Sequence, residues 1–343
     1  MKYLNELCLL PGVSSFEEPV AEYIAEKARP FASEIITDGM GNLIVFKKGK
    51  KKGAQSLMVT AHMDEVGFIV KKIDEEGYIK FAPIGGIDPR IAMGRKVYVG
   101  EKLVPGVIGL KAVHLTTREE RKHVPKFTDM YIDIGAGSKK AAERSVKKGD
   151  RVVFDSDYVE FGEGFVKCKA IDDRYGCAVM LNLIEQDLPQ DVTFVFSVQE
   201  EVGARGAFGA AFGVKPDIAL VLEGTTCADI PTVDGEKKVT LIGKGPVLGC
   251  MDRSTIYDQE LFDVLRKLAD KNGISWQIKQ FISGGTDASA IQRSCSGVRV
   301  ACIAAPVRYL HSASTVACKK DMDDGLELAK LFIEAVAGGK AGK

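Results

Sequence analysis

The chain has 343 residues, which is enough for two domains or for one domain with a large insertion. Lysine plus arginine and aspartate plus glutamate number 47 each, so the formal net charge of zero gives no global field for nucleic acid or an anionic membrane. No apolar run of signal or membrane-span length occurs, and the eight cysteines lack C-x-x-C spacing. We therefore expect a soluble, cytoplasmic protein without nucleic-acid or membrane partners and without a thiolate metal site.

The first predicted elements are a helix and two strands. Ser14 and Glu17 have the spacing of a capping box before "EPVAEYIAEKA", whose apolar residues recur at helical spacing. "NLIVFKK" and "SLMVTAHM" then indicate strands, and the lysine- and glycine-rich "KKGKKKG" between them predicts a solvated hairpin turn. The chain is thus expected to open with one helix and a pair of strands.

The pattern changes between Val70 and Gly164 to short β-like runs punctuated by glycine. This change predicts a small β-barrel-like domain over residues 70–164, inserted into a domain formed by residues 1–69 and 165–343. After the insertion, strands alternate with amphipathic helices. The strands are "VTFVFSVQ", "DIALVLE", "WQIKQF" and "VRVACIAA", and the helices are "YGCAVMLNLIEQ", "QELFDVLRKLADKNG" and "DGLELAKLFIEAVAG". The predicted fold class is α/β, with a mixed central sheet flanked by helices.

Residues of types that commonly bind metals follow the apolar runs. These residues are His62 and Asp64, Asp172 and Asp173, Glu200 and Glu201, Glu223, and His311. Each alone has a structural explanation as a capped helix, a satisfied histidine or a solvated edge. Their coincidence favours a shared site, because a charge at the end of a buried strand is costly unless it is paired. Histidines and carboxylates without thiolates suit zinc or cobalt, with manganese as an alternative.

The number of donors favours two metal ions, because one catalytic zinc takes three protein ligands and a water. A pair of ions needs a bridging carboxylate, which Asp172 or Asp173 could supply. Hydrolysis also needs a general base that is not a ligand, so the Glu200–Glu201 pair suits one ligand and one base. Asp64, two residues after His62, suits the carboxylate that fixes the imidazole tautomer.

Five motifs together resemble the TET-type metallo-aminopeptidases, a family that includes glutamyl and deblocking aminopeptidases and members labelled endoglucanase or cellulase. The motifs are "AHMDEVGF", "AIDDRYGC", "QEEVGARGA", "GGTDASAI" and "PVRYLHS". The resemblance implies a zinc-exopeptidase-like enzyme with two divalent metal ions that removes N-terminal residues from peptides. It also implies that the inserted β domain serves oligomerisation or substrate access, and that the chain assembles into a tetrahedral dodecamer.

The resemblance further implies a role for each residue of the site. The implied metal ligands are His62 and Glu223 on one ion, Glu201 and His311 on the other, and Asp172 between them. Glu200 would be the general base, Asp64 would orient His62, and a cis peptide would link Asp172 to Asp173. Two departures from the family pattern are Glu223, where many members have aspartate, and "SASTV" after His311, where members often have proline and glutamate.

Other functions stay open at this point. A two-metal carboxypeptidase or amide deacylase would use the same chemistry but would need cations for a substrate carboxylate, for which Arg205, Arg253 and Arg308 are candidates. A glycosidase using Glu200 and Glu223 would leave both histidines without a role. A catalytically silent scaffold or regulatory subunit is the non-enzyme alternative. The loop around Thr286 and Asp287 is either a substrate wall or a glycine turn that caps a helix.

Overall fold

A computed structural model of the chain describes residues 1–341. It confirms the predicted fold class, a mixed α/β sheet with flanking helices and a small closed barrel. The helices are α1 (Leu4–Leu9), α2 (Glu18–Ala28), α3 (Pro89–Ala92), α4 (Lys139–Ala142), α5 (Ile171–Ile184), α6 (Arg205–Val214), α7 (Gln259–Asn272), α8 (Ala288–Gln292) and α9 (Lys319–Ala337). The strands are β1 (Glu34–Thr37), β2 (Leu43–Lys47), β3 (Leu57–His62), β4 (Gly67–Ile73), β5 (Ile79–Ile84), β6 (Lys96–Val99), β7 (Val104–Gly109), β8 (Tyr131–Asp133), β9 (Arg151–Phe154), β10 (Val159–Phe161), β11 (Phe165–Cys168), β12 (Val192–Ser197), β13 (Ile218–Cys227), β14 (Val247–Leu248), β15 (Arg299–Arg308) and β16 (Thr315–Cys318).

The large sheet has the strand order β1-β2-β12-β3-β13-β15-β16-β11-β10, and β14 pairs with β15. Its central strands β12, β3, β13 and β15 run parallel to one another. All six residues of β3 are buried, as are nearly all of β13 and β15. Near-continuous apolar runs therefore form these strands because helices cover both faces of the sheet.

The parallel arrangement brings several polar residues to one edge of the sheet. His62 ends β3 directly opposite Ser197, the last residue of β12. Val221 of β13 pairs with Thr60 of β3, so Glu223 lies level with His62. Glu223 does not end its strand, as the sequence had suggested, because β13 continues to Cys227. The functional crevice of such sheets lies beyond these carboxyl ends.

The barrel closes in the order β4-β5-β8-β7-β6-β9 around a separate apolar core. Phe68 is fully buried there and contacts Phe81 and Phe154 edge to face, with ring centroids 5.0 and 5.2 Å away. The strands after the barrel, β10 and β11, pair within the large sheet. The domain boundaries at residues 70 and 164 stay a prediction. Among residues 1–341, no helix combines the length and apolar content needed to cross a membrane.

Three further local predictions were wrong. The segment after β2 is not a hairpin turn, because β12 lies between β2 and β3 in the sheet. "WQIKQF" does not form a strand. Its Gln277 side chain instead hydrogen-bonds to the backbone of Leu241 and Gly245. The helix α2 begins where expected, but Glu17 makes no capping hydrogen bond to it. The Ser14 hydroxyl donates to Asp64 instead.

Candidate metal centre

His62 is held at the end of β3 with one ring nitrogen turned towards two carboxylates. Its Nδ1 lies 3.0 Å from the backbone oxygen of Asp64, to which it donates, and 3.5 Å from the Asp64 carboxylate. Its Nε2 therefore faces Glu223 Oε1 at 3.1 Å and Asp172 Oδ1 at 3.4 Å. Burial alone would lower the pKa of His62, but Glu223, Asp172 and Asp64 together raise it well above its usual value.

His311 forms a second cluster with a different support. It follows β15 on a loop, and its Nδ1 donates to the backbone oxygen of Gly86 at 2.8 Å. Gly86 follows the barrel strand β5, so the barrel fixes the orientation of this imidazole. The His311 Nε2 faces Glu201 Oε2 at 3.2 Å and Asp172 Oδ2 at 3.8 Å. Burial opposes protonation of His311, but Glu201 and Asp172 raise its pKa.

Asp172 lies between the two clusters. Its Oδ1 faces His62 while its Oδ2 faces His311, which is the geometry that a bridging carboxylate requires. The peptide bond from Asp172 to Asp173 is cis, the form that the family resemblance implied. Gly224 approaches closely: its backbone N–H donates to Asp172 Oδ1 at 3.2 Å, and a Cβ at this position would lie 2.7 Å from that of Asp172. The site therefore requires glycine beside the bridge.

Asp64 connects both clusters through hydrogen bonds. Its carboxylate accepts from the backbone N–H of Glu200 at 2.9 Å and of Glu201 at 3.2 Å, and from the Ser14 hydroxyl at 2.6 Å. Burial tends to raise the Asp64 pKa, but His62 and these donors lower it. Asp64 thus fixes the loop of the two glutamates as well as lying beside His62.

The paired glutamates separate because the chain leaves β12 before them. The strand ends at Ser197, and Gln199 adopts a left-handed backbone with φ 58°. Glu201 then reaches His311, while the structure shows no hydrogen bond from the Glu200 carboxylate to a histidine. Burial raises the pKa of Glu200 well above its usual value; His62 opposes this, and Asp287 and Glu201 add to it. A carboxyl with a raised pKa beside candidate metal ligands suits proton transfer.

The donor set fits divalent cations. One group of nitrogen and oxygen atoms from His62, Asp172 and Glu201 lies within 4.8 Å, and a second group comes from His62, Asp173 and Glu223. Within the described residues, Glu223 Oε2 and Asp173 Oδ2 are buried without a hydrogen-bond partner. Burial raises the pKa of both groups well above the usual value, because His62 does not fully compensate their charge. Bound cations would supply that compensation.

Asp173, the alternative to Asp172 as bridge in the sequence analysis, belongs to one of the two groups of candidate ligands. Its Oδ1 accepts from the backbone N–H of Gly176 at 2.9 Å, and its Oδ2 is free. Asp287, considered as a substrate wall, is instead 1% exposed and accepts a hydrogen bond from Ser197. Of the candidate cations for a substrate carboxylate, Arg308 is paired with Asp229. The remaining two candidates, Arg205 and Arg253, are exposed.

A buried charge network behind the site was missed by the sequence reading. Lys169 Nζ lies 2.6 Å from Glu65 Oε1, and Arg174, with no exposed surface, donates to the backbone oxygens of Met63 and Leu7. These residues tie the N-terminal segment to the chain on either side of the metal cluster. The sequence does carry a sign of this network, because a charged residue directly follows a candidate site residue in two places: Glu65 follows Asp64, and Arg174 follows Asp173.

Comparisons with known proteins find aminopeptidases. A family model described as M42 glutamyl aminopeptidase matches residues 41–328. A putative aminopeptidase of Acetivibrio thermocellus is 38% identical over 335 residues, covering 97% of each chain.

Two solved structures of TET enzymes are also similar. A TET aminopeptidase from the marine sediment archaeon Thaumarchaeota archaeon SCGC AB-539-E09 is 35% identical, with a TM-score of 0.93, covering 98% of this chain and 97% of the other. The TET1 peptidase of Pyrococcus horikoshii, which can assemble into a tetrahedron or a large octahedral shell, is 35% identical with a TM-score of 0.83. That match covers 95% of this chain and 97% of the other. The resemblance found in the five sequence motifs is thereby confirmed.

Proposed function

Because the chain belongs to the M42 glutamyl aminopeptidase family and is a peptide hydrolase, we propose that it removes N-terminal residues from peptides with two divalent metal ions. The observation that carries this proposal is the position of Asp172, whose two carboxylate oxygens face different histidines. A single-ion site would not need this arrangement.

The proposed ligands divide into two sets that share one residue. His62 and Glu223 would hold one ion, His311 and Glu201 the other, and Asp172 both. Zinc or cobalt suits this set of imidazoles and carboxylates, with manganese as an alternative. When bound, the ions would polarise the peptide carbonyl and lower the pKa of the attacking water.

Glu200 is the proposed general base. Its backbone is fixed by Asp64, and its carboxylate is not committed to either histidine. It takes a proton from the water as the water attacks the first peptide carbonyl, and then gives that proton to the leaving amine. Asp64 takes no part in the proton transfer. It keeps Glu200 and Glu201 in place and lies beside His62, whose Nδ1 proton is held by the Asp64 backbone oxygen.

The alternatives account for less of the site. A glycosidase using Glu200 and Glu223 gives no role to the two histidines that face Asp172. A silent scaffold would not need buried carboxylates without partners, which are costly unless a cation compensates them. A carboxypeptidase or amide deacylase would share the metal chemistry, so only an experiment can distinguish it from an aminopeptidase.

The test is a substrate panel assayed after chelation and restoration of cobalt or zinc. The panel contains aminoacyl-p-nitroanilides, an N-acetylated peptide and carboxymethyl-cellulose. The proposal predicts hydrolysis of substrates with a free N-terminus, only in the presence of metal. Hydrolysis of the acetylated peptide alone would contradict it, and so would hydrolysis of the cellulose alone.

We also propose that the chain forms a tetrahedral dodecamer, with the barrel involved in assembly or substrate access. The support is the assembly of the similar TET1 peptidase into a tetrahedron. Light scattering coupled to size exclusion should give about twelve times the chain mass of 37.1 kDa. A monomer or dimer would contradict the proposed assembly without affecting the proposed chemistry. A cytoplasmic location stays a prediction.

A further inference from the structure

A large cleft opens beside His311 between the barrel and the catalytic sheet. It has a volume of ≈ 530 Å³, and its walls include Asp88 and Arg95 from the barrel side and Lys167 and Tyr309 from the sheet side. We infer that this leaving-group cleft binds the part of the peptide beyond the cleaved bond and recognises its C-terminal carboxylate through Arg95 and Lys167. The inference rests on the proposed aminopeptidase function and adds a substrate class, short peptides with a free carboxyl end.

Position beside a proposed metal ligand, together with size, decides which cavity receives the remaining peptide. A second cavity adjoins Glu223 but has a volume of only ≈ 20 Å³, about enough for one water molecule. The leaving-group cleft lies within the range of about 300–1,000 Å³ that is typical of ligand pockets. An aminopeptidase must place one residue on one side of the reacting carbonyl and the rest of the chain on the other. Of these two cavities, each lined by a proposed metal ligand, the cleft beside His311 has room for that rest.

The cleft presents positive charge that the protein leaves largely unneutralised. The Arg95 Nε donates to the backbone oxygen of Ile91 at 3.1 Å, and Arg95 forms no ion pair within residues 1–341. Lys167 lies 3.9 Å from a carboxylate oxygen of Asp157, at the outer limit of an ion pair, and Asp157 is 80% exposed. Two cations therefore face the cleft from opposite walls.

Among the lining residues that the structure describes, the one carboxylate is already paired. Asp88 caps the short helix α3 by accepting from the backbone N–H of Arg90, and its side chain also binds the Arg90 guanidinium. This pairing leaves the net charge of the cleft wall positive. A peptide carboxylate is complementary to such a wall, because guanidinium and ammonium groups form charge-assisted hydrogen bonds with it.

The test compares trialanine with trialanine amide as substrates of the cobalt-loaded enzyme. The free acid should have a kcat/KM about fivefold higher than the amide, the size expected for two partly exposed charge contacts. In the Arg95→Met/Lys167→Met double variant, this ratio should fall to about one. Lys148→Met is the matched control, because it removes an exposed barrel lysine that lines a different cavity and should leave the ratio unchanged.

Binding provides a second readout that does not require turnover. Calorimetric titration of the metal-loaded Glu200→Gln variant with the same two peptides should show the same preference for the free acid. Circular dichroism establishes that the double variant is folded, and each single variant should give an intermediate ratio if both cations contribute.

Each outcome bears on a different statement. Equal kcat/KM for acid and amide in the unmodified enzyme overturns this inference and leaves the aminopeptidase function intact. If the enzyme hydrolyses neither peptide, that result contradicts the proposed function itself, and the inference falls with it. An amide that ends in aspartate and is cleaved as well as the free acid shows recognition of any carboxylate, which overturns the assignment to the C-terminus. Release of alanine from the C-terminus of N-acetyl-trialanine, leaving N-acetyl-dialanine, would identify a carboxypeptidase.

Discussion

The two halves of the proposed metal centre are built in different ways. His62 lies at the end of a fully buried strand with 1% of its side chain exposed, and an atom two residues away orients it. His311 lies on a loop with 29% exposed, and a carbonyl 225 residues away in sequence orients it. The sheet alone fixes the first half, whereas the second also depends on where the barrel sits. We expect the His62 half to hold its ion more tightly.

The largest effect should come from removing either histidine. His62→Ala and His311→Ala should each lower turnover by at least about 10³-fold, because each removes a ligand from the ions that stabilise the transition state. The two variants should differ in rescue: excess cobalt should restore part of the activity of His311→Ala and little of that of His62→Ala. Turnover against cobalt concentration measures this difference. Equal rescue of both would remove the contrast between the halves.

Added methyl groups can disturb the shared bridge and the His311 half separately. Gly224→Ala places a Cβ 2.8 Å from Asp172 Oδ1 and should cost about 10²-fold in turnover by displacing the bridge. Gly85→Ala places a Cβ 2.7 Å from Val66 and strains a backbone with φ 80°, moving the Gly86 carbonyl that orients His311. We expect about a tenfold loss there.

The control for the glycine variants is Gly94→Ala. Gly94 has a similar backbone, with φ 72°, but a Cβ there meets nothing within 4 Å. It should carry the same conformational cost as Gly85→Ala and leave turnover unchanged. If Gly94→Ala and Gly85→Ala lowered turnover equally, the contact with the His311 half would not be the cause.

Asp64→Asn tests the residue that joins the halves. It should weaken binding of both ions by about 10–100-fold, because an amide replaces the carboxylate that accepts from Glu200 and Glu201. Asp321→Asn is the matched control, since Asp321 is equally buried and accepts from two backbone N–H groups, those of Gly243 and Gly245. Both variants should lose stability, but only Asp64→Asn should lose metal affinity in a chelator competition. Loss of affinity for one ion alone would show that Asp64 serves a single half.

The smallest effect on turnover should come from Glu17→Gln. Burial raises the pKa of Glu17 to about 7, and its Oε1 accepts from the N–H groups of Ser15 and Gln199. Because the folded-state pKa lies above the unfolded value of 4.5, Glu17 costs stability progressively as pH rises from about 4.5 to 7. The variant should therefore gain up to about 3 kcal/mol over the original at pH 8 and little at pH 4. Urea unfolding at both pH values measures this, and an equal gain at both would contradict the raised pKa.

The sequence predicted those features that depend on local pattern. Buried parallel strands have long apolar runs, and the residues that follow them meet at one edge, so His62, Glu200 and Glu201 could be placed together. The adjacency of the two glutamates also suggested two different roles. These inferences needed no knowledge of which strands were neighbours.

Features that depend on distant pairing could not be predicted. Nothing in "KKGKKKG" shows that β12 will lie between β2 and β3. Ser14 and Glu17 have the spacing of a capping box, but the Ser14 hydroxyl donates instead to the buried carboxylate of Asp64, 50 residues away. A backbone carbonyl has no sequence signature, so the support of His311 by Gly86 was invisible.

The most direct test of the central claim compares Glu200→Gln with Glu201→Gln, measuring bound metal per chain and turnover of an aminoacyl-p-nitroanilide in the same samples. Glu200→Gln should keep both ions and lose turnover by about 10²–10⁴-fold, because it removes only the proton acceptor. Glu201→Gln should lose the ion at His311, with turnover falling as a consequence. A Glu200→Gln variant that retained turnover, or that lost an ion, would contradict the assignment of one base and one ligand to this pair.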